Sequence, residues 1–89
     1  MTCFLIKVSG FVQGVFFRHS AKTEAEKLRL VGYAKNLEDE SVEMVVCGEK
    51  EKIGVFIKWC QRGSALAQVE RVETREIDFQ NFDTDFLIV

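Results

Sequence analysis

The stretch from Val8 to Arg18, which reads V-S-G-F-V-Q-G-V-F-F-R, constrains this chain more than any other segment. It follows an alternating run that is typical of a strand, and a helical pattern begins just after it. Gly10 and Gly14 lie four residues apart, and glycine adopts a left-handed backbone without steric cost. A strand, a glycine turn and a helix N-terminus form a recurring anion site, because unpaired main-chain N–H groups converge there. Arg18 adds a planar set of donors suited to phosphate or carboxylate. A solvated turn with two structural glycines is the alternative interpretation of the same spacing.

The charged residues are distributed unevenly along the chain. Residues 1–23 contain no Asp or Glu but hold Lys7, Arg18 and Lys22, so this opening segment carries +3. All 14 acidic residues fall in residues 24–89, where the net charge is −5. A net acidic protein whose first quarter lacks acidic residues indicates an anionic ligand in that quarter.

Length and composition predict one small domain that spans residues 1–89. Such a chain buries about 60–65% of its extended-chain surface, which is enough for a single two-layer core. The net charge of −2 and the pI near 5.4 argue against nucleic acid or an anionic membrane as the main partner. The sequence shows no apolar run near the ~20 residues that span a bilayer and no secretory signal. We therefore expect a cytoplasmic protein.

The three cysteines, Cys3, Cys47 and Cys60, have no short metal-ligand spacing. This pattern predicts buried thiols in a reducing cytoplasm rather than a disulfide framework or a metal site. Because Cys3 and Cys47 both lie on predicted strands, the sequence leaves open whether they face each other and pair. His19 has no neighbouring ligand in the sequence, so we expect no metal centre.

Alternation and helical spacing predict seven elements. Strands are predicted at Cys3–Ser9, Tyr33–Leu37, Val42–Cys47, Val69–Phe79 and Phe86–Val89, helices at Ser20–Leu30 and Glu49–Arg62, and a loop over 79–84. The order is βαββαβ with an additional short C-terminal strand. This order predicts an α+β, ferredoxin-like sandwich, with two helices on one face of an antiparallel sheet.

Two segments of the chain carry a family resemblance. Residues 8–18 resemble the first signature of the acylphosphatases at all eleven positions, and the segment from Gly32 to Gly48, which begins G-Y-A-K-N, is similar to the second. The similarity extends over essentially the whole chain, including the order of elements, Trp59 late in the second helix and the short apolar final strand.

The resemblance implies an enzyme that hydrolyses the carboxyl–phosphate bond of small acyl phosphates. Arg18 corresponds to the arginine that clamps the phosphate, and Asn36 corresponds to the asparagine that positions the attacking water. The phosphate-cradling loop acts through main-chain N–H groups and corresponds to Gln13, Gly14, Val15, Phe16, Phe17 and Arg18. The family needs neither metal nor cofactor, and we expect a monomer with no nucleic-acid or membrane partner.

This small set of groups suits the chemistry that the resemblance implies. Phosphoryl transfer depends on positioning and charge stabilisation more than on covalent chemistry. The leaving group is a carboxylate, whose conjugate acid has a pKa of about 4, so no general acid has to protonate it. Asn36 is too weak a base to remove a proton from water, and we expect that proton to pass to a phosphate oxygen of the substrate.

One position departs from the family signature. Glu40 follows Asp39 where the signature has glycine, and Asp-Gly favours a hairpin turn because glycine supplies φ > 0. Glu40 therefore predicts either a left-handed residue, at a cost of about 1 kcal/mol, or a different turn. A different turn would affect the hairpin that holds Asn36.

Other functions and roles compete with this interpretation. A non-catalytic phosphate-binding regulatory module is one alternative, although it would not need Asn36. A nucleic-acid-binding domain of the same fold is disfavoured by the net charge and by the lack of a basic, aromatic sheet surface. The family pattern does not require His19 as a base, and Phe16 and Phe17 are predicted to anchor the loop in the core.

Overall fold

The structure, a computed structural model, describes residues 1–78, 80–82 and 85–89. These residues form five strands and two helices in the predicted order. The elements are β1 (Thr2–Phe11), α1 (Phe17–Lys27), β2 (Val31–Asn36), β3 (Val42–Gly48), α2 (Lys50–Arg62), β4 (Gln68–Ile77) and β5 (Phe86–Ile88).

The strands form one sheet in the order β4-β1-β3-β2-β5. β3 lies at the centre and pairs antiparallel with β1 and β2, while β1 also pairs antiparallel with β4. β5 runs parallel to β2 at the opposite edge from β4. Both helices contribute their buried residues to one core against the sheet. The predicted ferredoxin-like sandwich with an added C-terminal strand is confirmed.

The main core lies between the two helices and the face of the sheet that they cover. On β1, Ile6 and Val8 are fully buried at alternate positions, as a strand with period two requires. On α1, Ala21 and Ala25 lie one turn apart and are fully buried, and their small side chains allow the helix to approach the sheet closely. Phe56 fills the space beneath α2 and contacts aromatic neighbours on both sides.

The opposite face of the sheet holds a second, smaller cluster, and here one prediction was wrong. The β1–β3 register places Cys3 directly opposite Cys47, with their Cα atoms 4.1 Å apart, and the two sulfurs form a disulfide. Directly opposed residues of an antiparallel pair can come this close when they lie in a non-hydrogen-bonded position. Cys60 is a buried free thiol, as predicted, and burial raises its pKa.

Helix α1 begins three residues earlier than predicted and also ends earlier. The helix starts at Phe17, and Phe16 occupies the N-cap position without a side-chain capping hydrogen bond. Past the last turn, the Arg29 N–H donates to the Glu26 carbonyl and the Leu30 N–H donates to the Ala25 carbonyl. This is a Schellman ending with the left-handed position filled by Arg29 instead of glycine.

The last two strands were predicted correctly as strands, but their predicted bounds differ from those in the structure. β4 ends at Ile77, and β5 ends at Ile88 instead of Val89. Phe79, Asp83 and Thr84 lie outside the described residues, so half of the predicted loop over 79–84 does too, and residues 80–82 belong to neither a helix nor a strand. Neither of the described helices is long and apolar enough to cross a membrane.

The β2–β3 hairpin closes through the turn at residues 37–41. Glu40 has a φ of 71°, so of the two possibilities left open by the sequence the left-handed one is adopted. The Glu40 N–H donates to the Leu37 carbonyl, and the Leu37 N–H donates to the Ser41 carbonyl. Asp39 accepts hydrogen bonds from the main-chain N–H and the hydroxyl of Ser41. The turn thus keeps the hairpin geometry that glycine would have provided.

Candidate active site

The loop of residues 12–16 connects β1 to α1 and is anchored from both ends. Val12 and Val15 are both buried in the main core, so the loop cannot lift away from the protein. Between them, Gly14 has a φ of 76°, a backbone angle that residues with a Cβ atom rarely adopt. A Cβ atom at Gly14 would meet no other atom within 4 Å. The backbone angle, and not crowding, therefore accounts for the glycine.

The main-chain N–H groups of this loop are not used within the fold. In the part of the chain that the structure describes, the N–H groups of residues 13–18 donate to no other protein group. Those of Phe17 and Arg18 belong to the first turn of α1, where a helix has no intrahelical acceptor for them. Unpaired N–H groups at a helix N-terminus attract an anion through both hydrogen bonding and the helix dipole.

Arg18 lies in the first turn of α1, beside this loop. Its Nη1 donates to the main-chain oxygen of Val89 at 3.1 Å, so the end of β5 holds one side of the guanidinium. No Asp or Glu side chain within the described residues forms an ion pair with Arg18. The guanidinium N–H groups that do not contact Val89 are therefore available to a ligand.

Strand β5, whose end contacts Arg18, is itself attached to the rest of the protein on two sides. Lys22, one turn further along α1, donates to the carbonyl of Phe86 at 2.6 Å. On the other side, the Val89 N–H donates to the carbonyl of Ala34 at 3.0 Å, next to the parallel pairing of β5 with β2. The main-chain oxygen of Val89 that accepts from Arg18 is thus placed by the sheet.

Asn36 is the last residue of β2, where it pairs with Val42 of β3. Its side-chain Oδ1 is buried and has no hydrogen-bond partner among the described residues. A buried amide oxygen without a partner costs about 1–3 kcal/mol, so such a group calls for an explanation. A ligand or a positioned water molecule would supply the missing hydrogen.

Gln13 connects the loop to the strand end that carries Asn36. Its Nε2 donates to the carbonyl of Leu37 at 2.9 Å and to the carbonyl of Ser41 at 3.0 Å. Both acceptors belong to the base of the β2–β3 turn. The side chain of Gln13 therefore fixes the distance between the loop and Asn36, a role that the sequence did not indicate.

Ser64 supports the loop from below. It follows α2, is 8% exposed, and its hydroxyl donates to the main-chain oxygen of Val15 at 2.8 Å. In a trans peptide the C=O and the following N–H point in opposite directions, so this bond orients the N–H of Phe16 away from Ser64. The sequence offered no signal for this contact, because Ser64 is 49 residues from Val15.

One cavity of about 460 Å³ brings the candidate residues together. Gly14, Phe16, Phe17, Arg18 and Asn36 all line it, although Asn36 comes from a different part of the chain. Val12, Ile88 and the exposed His19 complete the wall. Gln13 and Val15 do not line the cavity, because the side chain of Gln13 is bonded to the hairpin and that of Val15 is in the core.

The two adjacent phenylalanines have opposite environments. Phe17 is buried, with 1% of its surface exposed, and its ring lies 5.3 Å from that of Trp59. Phe16 is 75% exposed and has a φ of 61°. The prediction that both anchor the loop in the core is confirmed for Phe17 and wrong for Phe16. The reason is that the left-handed residue before α1 turns its side chain outward while the next residue faces the core.

Comparisons with known proteins agree with the fold and with the two sequence signatures. The acylphosphatase family model matches residues 4–88. A relative named acylphosphatase from Aliivibrio fischeri is 47% identical over 83 residues, which cover 93% of this chain and 91% of the relative.

Two solved structures have nearly the same fold. An acylphosphatase from Coxiella burnetii matches with a TM-score of 0.95 and 42% identity, over 99% of this chain and 92% of its own. An acylphosphatase from Bacillus subtilis also matches with a TM-score of 0.95, at 32% identity over 100% and 99% of the two chains. The resemblance inferred from residues 8–18 and from the segment Gly32 to Gly48 is confirmed at the level of the family.

Proposed function

Because this chain belongs to the acylphosphatase family, we propose that it hydrolyses the carboxyl–phosphate bond of small acyl phosphates through Arg18, Asn36 and the loop of residues 13–18. The observation that carries the proposal is the shared cavity. A guanidinium with N–H groups to spare lines it together with loop residues whose N–H groups, and an asparagine whose buried amide oxygen, have no partner among the described residues.

Arg18 and the loop hold the phosphoryl group. The guanidinium donates to two phosphate oxygens, and the N–H groups of Gly14 to Phe17 donate to the oxygens where charge increases in the transition state. The contact between Arg18 and Val89 supports this role, because a guanidinium held on one side loses less freedom when it binds. The bond from Ser64 to Val15 likewise orients the loop before the ligand arrives.

Asn36 positions the attacking water. Its Oδ1 accepts a hydrogen bond from the water, which thereby directs a lone pair towards phosphorus, opposite the carboxylate leaving group. The unpartnered state of Oδ1 supports this assignment. The P–O bond to the carboxylate breaks as the bond to water forms, and the water proton passes to a phosphate oxygen, so no side chain has to act as a base. His19 lines the cavity but has no step in this scheme.

A non-catalytic phosphate-binding module is the second candidate function. It would use Arg18 and the loop in the same way, but it would gain nothing from a buried Asn36 oxygen left without a partner. Hydrolysis of a synthetic acyl phosphate separates the two candidates.

The test is to follow the loss of benzoyl phosphate with the purified protein, with and without a chelator. We expect turnover that the chelator leaves unchanged. Arg18→Lys and Asn36→Ala should each lower kcat by about 100-fold or more, because each removes a group that acts in the transition state. Inorganic phosphate should still inhibit the Asn36→Ala variant almost as well as the unmodified protein.

Arg62→Lys is the matched control for Arg18→Lys. Arg62 lies in the last turn of α2, is exposed and does not line the cavity. Near-normal turnover by folded Arg18→Lys would remove Arg18 from the role of clamp. A loss of phosphate inhibition in folded Asn36→Ala would show that the two roles had been divided wrongly.

Several further expectations belong with this proposal. We propose that residues 1–89 act as one domain and one monomer on a small acyl phosphate, without cofactor, metal, nucleic acid or membrane. The cytoplasmic location stays a prediction, and the Cys3–Cys47 disulfide removes the support that the cysteines gave it, because disulfides are rare in the cytosol. Thiol labelling of the protein in fresh cell extract would report the redox state of this pair in its own compartment.

A further inference from the structure

Phe16 is an exposed aromatic residue for which neither the core nor the backbone gives a reason. Its surface is 75% exposed, while that of its neighbour Phe17 is 1% exposed. Its φ of 61° is left-handed, which is unfavourable for a bulky side chain, and Asn or Gly would adopt it at lower cost. A phenylalanine at this position therefore exposes apolar surface and adds backbone strain.

The surroundings of Phe16 indicate what its ring contacts. Phe16 lines the same cavity as Arg18 and Asn36, and Ile88, itself 38% exposed, lines it as well. The cavity thus combines polar side chains, those of Arg18 and Asn36, with apolar side chains that reach solvent. Strained residues at a ligand site are a recognised pattern, because the strain there is compensated by binding.

An acyl phosphate has a matching division into two parts. Its phosphoryl end is charged and meets the loop and Arg18, so its acyl end must extend from the cavity along the exposed part of the wall. A ring stacked on an acyl group of similar shape gains dispersion and buries apolar surface on both partners.

We propose that Phe16 determines acyl-group specificity, by contacting the acyl group and favouring aromatic or large apolar acyl phosphates over acetyl phosphate. This inference rests on the proposed function. Phe16 thereby has two separable contributions, since its main-chain N–H belongs to the phosphate loop and its ring belongs to the acyl site.

The experiment compares kcat/KM for benzoyl phosphate with kcat/KM for acetyl phosphate. The two leaving carboxylates have similar basicity, so the ratio of the two kcat/KM values reports mainly on the binding of the acyl group. Damage to the loop would weaken phosphate binding for both substrates alike and would leave the ratio unchanged. The ratio therefore distinguishes a contact with the acyl group from a merely structural role.

We expect Phe16→Ala to lower this ratio by about five- to tenfold, and Phe16→Leu to lower it less. Phe16→Asn introduces a residue that tolerates the left-handed backbone, and it should lower the ratio as much as Phe16→Ala does. The asparagine variant therefore replaces the alanine variant if the latter does not fold. Phe11→Ala is the matched control, because Phe11 is 58% exposed at the end of β1 but does not line the cavity.

An unchanged ratio in both Phe16→Ala and Phe16→Asn would overturn the inference while leaving the proposed function intact. An equal fall of the ratio in Phe11→Ala would also overturn it. Hydrolysis of neither substrate by the unmodified protein would overturn the proposed function itself and the inference with it.

Discussion

Three connections among the described residues contain a left-handed residue that is not glycine, and two of them use their hydrogen bonds in opposite ways. The loop of residues 12–16 has Phe16 with a φ of 61°, and the turn of residues 37–41 has Glu40 with a φ of 71°. The turn satisfies its polar groups internally, through Leu37, Asp39 and Ser41. In the loop, the N–H groups have no acceptor among the described residues.

The difference shows that an unusual backbone angle does not identify a functional segment. The left-handed Glu40 closes a hairpin, and its own N–H is used for that purpose. The left-handed Phe16 precedes α1 and lines a cavity together with Arg18, and its N–H donates to no acceptor among the described residues. The state of the donors distinguishes the structural turn from the loop that we propose binds phosphate.

Of the substitutions that compare the loop with the turn, Gly14→Ala should have the largest effect, because it changes the backbone of the loop alone. The new methyl group meets no atom within 4 Å, so the only penalty is the φ of 76°, at about 1 kcal/mol. Relaxation of that strain would reorient the loop N–H groups and lower kcat/KM by about tenfold or more. Steady-state kinetics together with a melting curve measure both effects.

Glu40→Ala is the control for Gly14→Ala, since it changes a residue that already has the left-handed angle in the turn. We expect its kcat/KM to stay within about twofold of the unmodified protein. Full activity in Gly14→Ala would mean that the loop N–H groups do not act in binding.

Ser64→Ala should have an intermediate effect, through the support beneath the loop. The change leaves the carbonyl of Val15 buried without its donor, which costs about 1–3 kcal/mol. We expect weaker inhibition by inorganic phosphate and a several-fold higher KM, with kcat changed less. Ser64→Thr keeps the hydroxyl, so its phosphate inhibition and its KM should both be close to those of the unmodified protein. A fall in melting temperature with unchanged phosphate inhibition would make Ser64 a purely structural residue.

Glu40→Gly should stabilise the fold and leave activity unchanged. Glycine relieves left-handed strain of about 1 kcal/mol, partly offset by the greater freedom of glycine in the unfolded chain. A domain of this size gains about 4–8 °C in melting temperature per kcal/mol, so a rise of a few degrees is expected by calorimetry. A lower melting temperature would mean that contacts of the Glu40 side chain stabilise the fold by more than the left-handed φ of Glu40 destabilises it.

Asp39→Asn should have the smallest effect, and one that depends on pH. The ion pair with Lys7 at 2.8 Å, together with the donors of Ser41, holds the pKa of Asp39 well below its usual range. A depressed folded-state pKa contributes stability above the unfolded pKa of about 3.9, and this contribution is lost as the pH falls towards the folded value.

The difference in unfolding free energy between the unmodified protein and Asp39→Asn should therefore be constant near neutral pH and shrink below about pH 4. Urea unfolding at a series of pH values measures it. High salt should reduce the difference as well, because the pair is exposed. A difference that grows on acidification would contradict the assignment.

Much of the fold was predictable because its signals are local. Alternating apolar residues in β1 and the spacing of Ala21 and Ala25 predicted the strand and the helix, and the order of elements predicted the topology. The signatures also identified Arg18 and Asn36, which the fold brings to one cavity. The start of α1 was not predictable, because Phe17 enters the core as the first helical residue and the sequence shows only another apolar position.

The contacts that the sequence did not predict depend on strand register and on distant parts of the chain. Cys3 meets Cys47 because β1 and β3 pair in one register, and the two residues are 44 positions apart. Arg18 meets Val89 because β5 returns beside β2. The outward orientation of Phe16 follows from a backbone angle that its residue type disfavours.

Titration of ¹⁵N-labelled protein with inorganic phosphate, followed by amide NMR, determines directly whether the loop of residues 13–18 binds phosphate. We expect large downfield shifts for the N–H groups of Gly14 to Arg18 and for the guanidinium of Arg18, with the amides of residues 38–41 unaffected. Arg18→Lys should weaken this response at the same amides, and the Arg62→Lys control should not. Phosphate-dependent shifts confined to another part of the surface, with the loop amides unchanged, would contradict the role proposed for the loop.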